Sequence, residues 1–214
     1  MLDLFNIAQP QNCDIQIFYG SGALTTSSKS WEKPRGVSHV YMLLIGPGGT
    51  GDGTTGGGSG AVTVWYGAAQ HVPDILVVDV PIPGNSTRVG ARFTASTITV
   101  LLTAEFGSPG TGGTATAANQ FAASGFYQSI AGQSGTSGGI TPSATTFLSG
   151  GGGNGGSSNY GYANSGGNIS GFFQLQPIIV GVGTAGGGPS GIGCGGGNNA
   201  GAPGGPGMVL IASW

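Results

Sequence analysis

Val37-Ser38-His39-Val40-Tyr41-Met42-Leu43-Leu44-Ile45 lies between Gly36 and Gly46 and leads straight into Gly46-Pro47-Gly48-Gly49-Thr50-Gly51. An apolar run closed by glycine at both ends reads as a strand. A glycine tract at once after a strand removes every side chain where the chain leaves the sheet. Such a tract suits backbones that approach one another closely. Apolar strands alternating with tracts that lack side chains therefore set the fold.

The same alternation extends both ways. Upstream, Asp14–Tyr19 (DIQIFY) puts Ile15 and Ile17 on one face, with Phe18 out of step. Downstream come Ala61–Tyr66 (AVTVWY), Ile75–Ile82 (ILVVDVPI), Thr87–Phe93 with Arg88 and Arg92, and Ser96–Leu102 (STITVLL). Met208–Trp214 (MVLIASW) closes the chain as a terminal strand. Short β-branched runs separated by Gly, Pro and Asn predict an all-β protein, an antiparallel β-sandwich of jelly-roll type. No sustained helical period of apolar residues is present; Phe121–Ile130 is the one stretch that suits a helical turn or two. Residues 1–30 read as an N-terminal arm or docking segment, and residues 31–214 as one glycine-rich β domain.

Glu105 is the last charged residue; no Asp, Glu, Lys, Arg or His follows it, and 33 of the 48 glycines do. Glycine at this level, with 12 prolines in 214 residues, is otherwise a mark of low complexity. A formal net charge of only -2 and 38% hydrophobic residues argue instead for a folded chain. Collagen is excluded because no strict three-residue glycine period runs through the sequence. The tracts Gly107–Gly113, Gly132–Gly139, Gly150–Gly167 and Gly181–Gly207 have two packed states open to them. They are long loops across the end of a sandwich, or bundled polyproline-II-like segments that bond to neighbours. Ordering each glycine costs about 0.5–1 kcal/mol more than ordering alanine. Burial in an assembly offsets that cost, so a homo-oligomer, a trimer, is expected.

The charge balance also bounds function. With five Lys and Arg against seven Asp and Glu, there is no basic surface for nucleic acid. No apolar segment is long enough for a membrane-spanning helix, and the first residues lack a secretory pattern. Half the chain has no Asp, Glu, Lys, Arg or His to act as a general acid, base or ionised clamp, so no enzyme, cofactor or metal is expected. Gly46-Pro47-Gly48-Gly49-Thr50-Gly51 fits the glycine spacing of a dinucleotide loop, with Asp74 downstream. The glycine-rich DGTTGGGSG that follows cannot supply the helix such a site needs. His39 and His71 are the only histidines, too few for a zinc set, and a structural role is the plainer reading for each. Arg88 and Arg92 with Asp74 and Asp79 read as surface ion pairs. Cys13 and Cys194 are either a bridge between chain ends or two buried thiols.

Aromatic residues are the remaining candidates. Trp31, Trp65 and Trp214 read as packing or interface anchors. Tyr160 and Tyr162, set beside Asn159 and Asn164 in SSNYGYANSGGN, combine rigid rings with adaptable polar groups and read as a receptor-contact loop.

The order of these pieces carries a resemblance. It runs from Trp31-Glu32-Lys33-Pro34 with Gly36-Val37 and Val40, through Gly46-Pro47-Gly48-Gly49, to Gly56-Gly57-Gly58-Ser59-Gly60-Ala61. Val72-Pro73-Asp74 with Leu76, Val78 and Val80 follows, and Gly201-Ala202-Pro203-Gly204-Gly205-Pro206-Gly207-Met208-Val209-Leu210-Ile211 ends it. Over residues 31–214 this resembles the glycine-rich domain of bacteriophage tail-fibre and other virion proteins, with a weaker likeness to glycine-rich tail-fibre adhesins. The resemblance implies a non-enzymatic structural protein made in the host cytoplasm and carried on the virion surface. There it would be a capsid decoration, spike or fibre component that contacts itself and other virion proteins. The alternative it implies is an adhesin that reads a host-surface glycan or protein.

Overall fold

The computed structural model describes residues 14–20, 28–92, 97–135, 192–197 and 201–214. Among them are nine strands: β1 (Asp14–Tyr19), β2 (Ser28–Glu32), β3 (His39–Ile45), β4 (Val62–Ala68), β5 (Ile75–Asp79), β6 (Thr87–Arg92), β7 (Ile98–Ala104), β8 (Phe126–Ile130) and β9 (Met208–Ser213). Every pairing is antiparallel. One sheet runs β1-β9-β3-β4-β8 and the other β2-β5-β6-β7. The protein is an all-β antiparallel sandwich.

Asp14–Tyr19 is a strand, as its alternation predicts, and pairs with β9; Ser28–Glu32, which the sequence did not mark as a strand, pairs with β5. Where a helical turn was expected over Phe121–Ile130, a single 3-10 turn at Ala122–Ser124 is followed by β8. Gly125 breaks the turn with an extended backbone, and its position lies hard against the Trp65 ring.

The core between the sheets explains the alternation. Trp31, Leu76, Val78, Val89, Ala91 and Leu102 come from one sheet, and Phe18, Val40, Met42, Leu44, Trp65, Val209 and Ile211 from the other. Phe18 enters this core, whereas Ile15 and Ile17 face outward. The outer face of the five-stranded sheet is apolar as well. Tyr41, Leu43, Ile45, Val62, Val64, Met208 and Leu210 form a second buried cluster there, with Ile192 and Cys194 packed into it. Burial on both faces is why β3 and β9 read as unbroken apolar runs.

The described parts of the glycine tracts extend from one end of the sandwich. They follow β3, β7 and β8 and precede β4 and β9. Within these segments, hydrogen bonds to each neighbour recur every third residue. Gly46 and Gly49 donate to Ala61 and Gly58, at 2.8 Å each. Gly48 and Gly51 donate to Gly205 and Ala202, at 2.9 Å each. Gly57 and Gly60 donate to Gly196 and Gly193, at 2.8 Å each. Three residues is the period of a polyproline II helix, which leaves its backbone groups free for neighbours.

Residues 56–61 are the hub. Gly57 and Gly60 bond one neighbour, Gly58 and Ala61 bond residues 105–108, and Ser59 bonds Gln133. With residues 46–49 these make four neighbouring segments, so a large side chain on any face would hold a neighbour off. The sequence Gly56-Gly57-Gly58-Ser59-Gly60-Ala61 meets that demand, and Ser59 adds a bond from its hydroxyl oxygen, which accepts from the Gln133 amide at 2.7 Å. Of the two packed states open to the tracts, the described parts therefore take the bundled one. Residues 150–167 lie outside the described residues. Buried, paired amides exchange slowly. Amides of residues 57–61 are expected to exchange as slowly as those of β3, although neither helix nor strand is present there. Hydrogen-exchange mass spectrometry over that peptide measures it, and loop-like exchange would contradict the bundle.

Candidate functional site

At the end of the sandwich opposite the glycine bundle, three strands bring aromatic side chains together. His39 opens β3, Tyr66 is near the end of β4, and Trp214 follows β9. His39 and Trp214 exchange backbone bonds at 3.0 and 3.1 Å, which fixes them side by side. Tyr66 pairs with Tyr41, two residues along β3, so His39 and Tyr66 share a face on a diagonal. The ring centroids lie 5.6 Å (His39–Tyr66), 5.9 Å (Tyr66–Trp214) and 6.2 Å (His39–Trp214) apart, with planes within 20° of parallel. Phe126 on β8 is directly across from Tyr66 and is 61% exposed. Ser38 orients the imidazole through a 2.9 Å contact with Nδ1 and also donates to the Trp214 carbonyl. The group offers ring surface with hydroxyl and imidazole at its rim, which suits contact and stacking.

The three tryptophans divide by position. Trp31 and Trp65 are fully buried, and their indole N–H groups make no hydrogen bond, so both act as apolar volume. Trp65 stacks on Phe121 at 4.9 Å. Trp214 is half-buried in the aromatic group. Tyr160, Tyr162, Asn159 and Asn164 lie outside the described residues.

Polar residues singled out in the sequence are spent on structure. The amides of Gly46, Gly48, Gly49 and Gly51 all bond carbonyls of other segments, so they are not turned together to cradle a phosphate. Asp52 accepts from the Thr54 and Thr55 amides and the Thr54 hydroxyl; these bonds, the Thr54 amide first, hold its carboxyl below the usual range. Burial pushes the Tyr41 phenol up. Asp74 pairs with Lys33 at 2.8 Å rather than with an arginine. Lys33 also donates to the Ala69 and Val72 carbonyls, which pins the end of β2 to the turn before β5. An open cleft beside it is lined by Glu32, Arg35, Gln70 and Asp74. Asp79 is directly across from Arg88 in the β5–β6 register. His71 meets the Ser124 carbonyl at 3.2 Å. Among the described residues no three His, Cys, Asp or Glu side chains gather as a metal set. No helix among them is long and apolar enough to cross a membrane. Cys194 is buried, and Cys13 lies outside the described residues.

Sequence reasoning missed one surface. Ile15, Ile17 and Tyr19 form an exposed row, 46%, 39% and 47% accessible, along β1 at the edge of the five-stranded sheet. Alternation in DIQIFY was the available signal, but alternation alone does not say which face is wet. No family model and no curated protein matches this chain.

Proposed function

We propose that this chain is a non-enzymatic structural protein of a bacteriophage virion surface, a capsid decoration, spike or fibre component that works by assembling with copies of itself and with other virion proteins. The observation that carries the reading is the glycine bundle. Its functional groups are backbone amides and carbonyls, and they are spent on holding segments together. What it provides is a rigid body. Placement on a phage particle is supported by the order of motifs from Trp31 to Ile211 and by the near absence of charge.

Contacts between uncharged surfaces are insensitive to screening. Sedimentation of the purified protein is therefore expected to give the same oligomer distribution in low and high salt. Dissociation on adding moderate salt would count against the reading. Labelling the intact particle with an antibody to this chain tests the location, and a particle without label refutes it.

One observation favours a second reading, a receptor-binding adhesin. The Tyr66, Trp214 and Phe126 rings are at least partly exposed beside a histidine and a serine. Such amphipathic ring surface is common in recognition sites. Binding of the purified protein to host cells or to their isolated surface glycans decides between the two.

A further inference from the structure

Among the described residues the sandwich has four edge strands, and β2 and β7 are guarded. β2 (SKSWE) presents Lys29 and Glu32 to solvent. On β7, the Leu101 carbonyl accepts from the Asn119 side chain at 2.8 Å, and the Thr103 carbonyl accepts from the Thr116 and Thr63 hydroxyls. The same Thr116 bonds the side chains of Ser129 and Tyr127, which ties residues 113–119 to β8 as well. Natural sheets guard their edges with charge, coverage or bulges because an unguarded edge pairs with another chain. Among the described residues, none of these protects β1 along its length. It carries one charge, at its first residue, and among the described residues it pairs only with β9.

We propose that β1 is the self-association edge: two copies pair β1 against β1, antiparallel, about a two-fold axis at Ile17. This rests on the assembly reading above and names its contact. The choice of a second copy follows from the strand itself. In an antiparallel pair, directly opposed residues share a face. With Ile17 on the axis, Ile17 meets Ile17, and Ile15 meets Tyr19 twice. The exposed row thus covers itself with apolar pairs throughout. Phe18 and Gln16 meet on the inner face. The two Asp14 carboxylates end about 20 Å apart, six residue steps along the pair, where salt screens them. An axis between residues 16 and 17 would instead oppose Ile15 to Phe18, on different faces, so strand parity excludes it. The result is an isologous dimer with a continuous ten-stranded sheet, not the trimer expected from the sequence. A six-residue strand pair buries less than the roughly 1,200 Å² of a stable complex. The free dimer is therefore weak, and repeated attachment on a particle strengthens it.

Single cysteines in the full chain read out the register, with the parent chain, which retains Cys13 and Cys194, as the blank. A short bis-maleimide is expected to link Ile17→Cys into dimers and to leave Ile15→Cys monomeric, because residue 15 and its mate lie about 14 Å apart. Ile17→Lys puts like charges on the axis. It is expected to raise the dimer dissociation constant at least about tenfold, while fluorescence of the buried tryptophans stays native. Equal linking at both positions, or an oligomer unchanged by Ile17→Lys, overturns the edge pairing and leaves the assembly reading intact. A parent chain that is monomeric at all concentrations and does not self-associate on the particle overturns both.

Discussion

Gly48→Ala and Gly57→Ala are expected to abolish the folded protein under conditions where Gly36→Ala folds. A methyl on Gly48 would overlap the Cys194 carbonyl and crowd the Gly195 nitrogen. On Gly57 it would overlap the Gly49 carbonyl, with the Gly196 nitrogen beyond it. All four obstacles are backbone, held by the hydrogen bonds that define the bundle, so no side chain can turn aside. Relief requires two segments to part and several inter-segment bonds to break at once. Losses above about 4 kcal/mol arise from strain and broken networks of this kind, and a domain of ordinary stability has only about 5–15 kcal/mol to lose. Gly36 is the control. Its φ of 80° favours glycine, yet nothing lies within 4 Å of where a methyl would sit, so the cost is the backbone penalty of about 1–2 kcal/mol. Soluble yield and thermal melting of the three variants measure the difference. Native melting of Gly48→Ala would mean that the segments are not in contact.

That contrast marks the limit of what the sequence discloses. GPGGTG and GGGSGA announce that something approaches closely, because a tract without side chains has no other packed use. They do not announce what approaches. Partner choice in the bundle is written in amide and carbonyl positions, which are the same for every residue, so no pattern of side chains encodes that residues 57 and 60 face 193–196 while 58 and 61 face 105–108. Strands are more legible because their side chains differ. The doubly buried β3 and β9 appear as VYMLLI and MVLIA. β2 was hidden because an edge strand with one wet face needs only a single large apolar residue, Trp31, to hold its place. β8 was hidden by the 3-10 turn that leads into it. The aromatic group was legible in kind but not in membership, because strand register decides which rings stand together. Tyr160, Tyr162, Asn159 and Asn164 lie outside the described residues, so the receptor-contact reading of that loop rests on composition alone.

Neighbouring aromatics on β4 test the sandwich itself, because successive residues on a strand face opposite ways. Trp65 points between the sheets and is fully buried. It stacks on Phe121, and the glycines at 67 and 125 leave room for its ring: a methyl on Gly67 would lie 2.6 Å from Cζ2, and one on Gly125 2.9 Å from Cε2. The indole is thus seated between two positions that must stay bare. Trp65→Ala is expected to cost about 3–5 kcal/mol, the range for deleting a large buried aromatic. For a chain of this length that lowers the melting temperature by about 6–20 °C. Tyr66, one residue on, faces the other way and is 38% exposed. Its ring touches only the partly exposed His39 and Trp214 among the stacked pairs. Tyr66→Ala is expected to cost no more than about 1.5 kcal/mol, the value of an aromatic contact at the surface. Differential scanning calorimetry on the two variants gives the ratio directly. Equal losses would mean that β4 does not separate a sealed interior from an accessible face, and the strand register drawn for β3, β4 and β8 would be wrong by one residue.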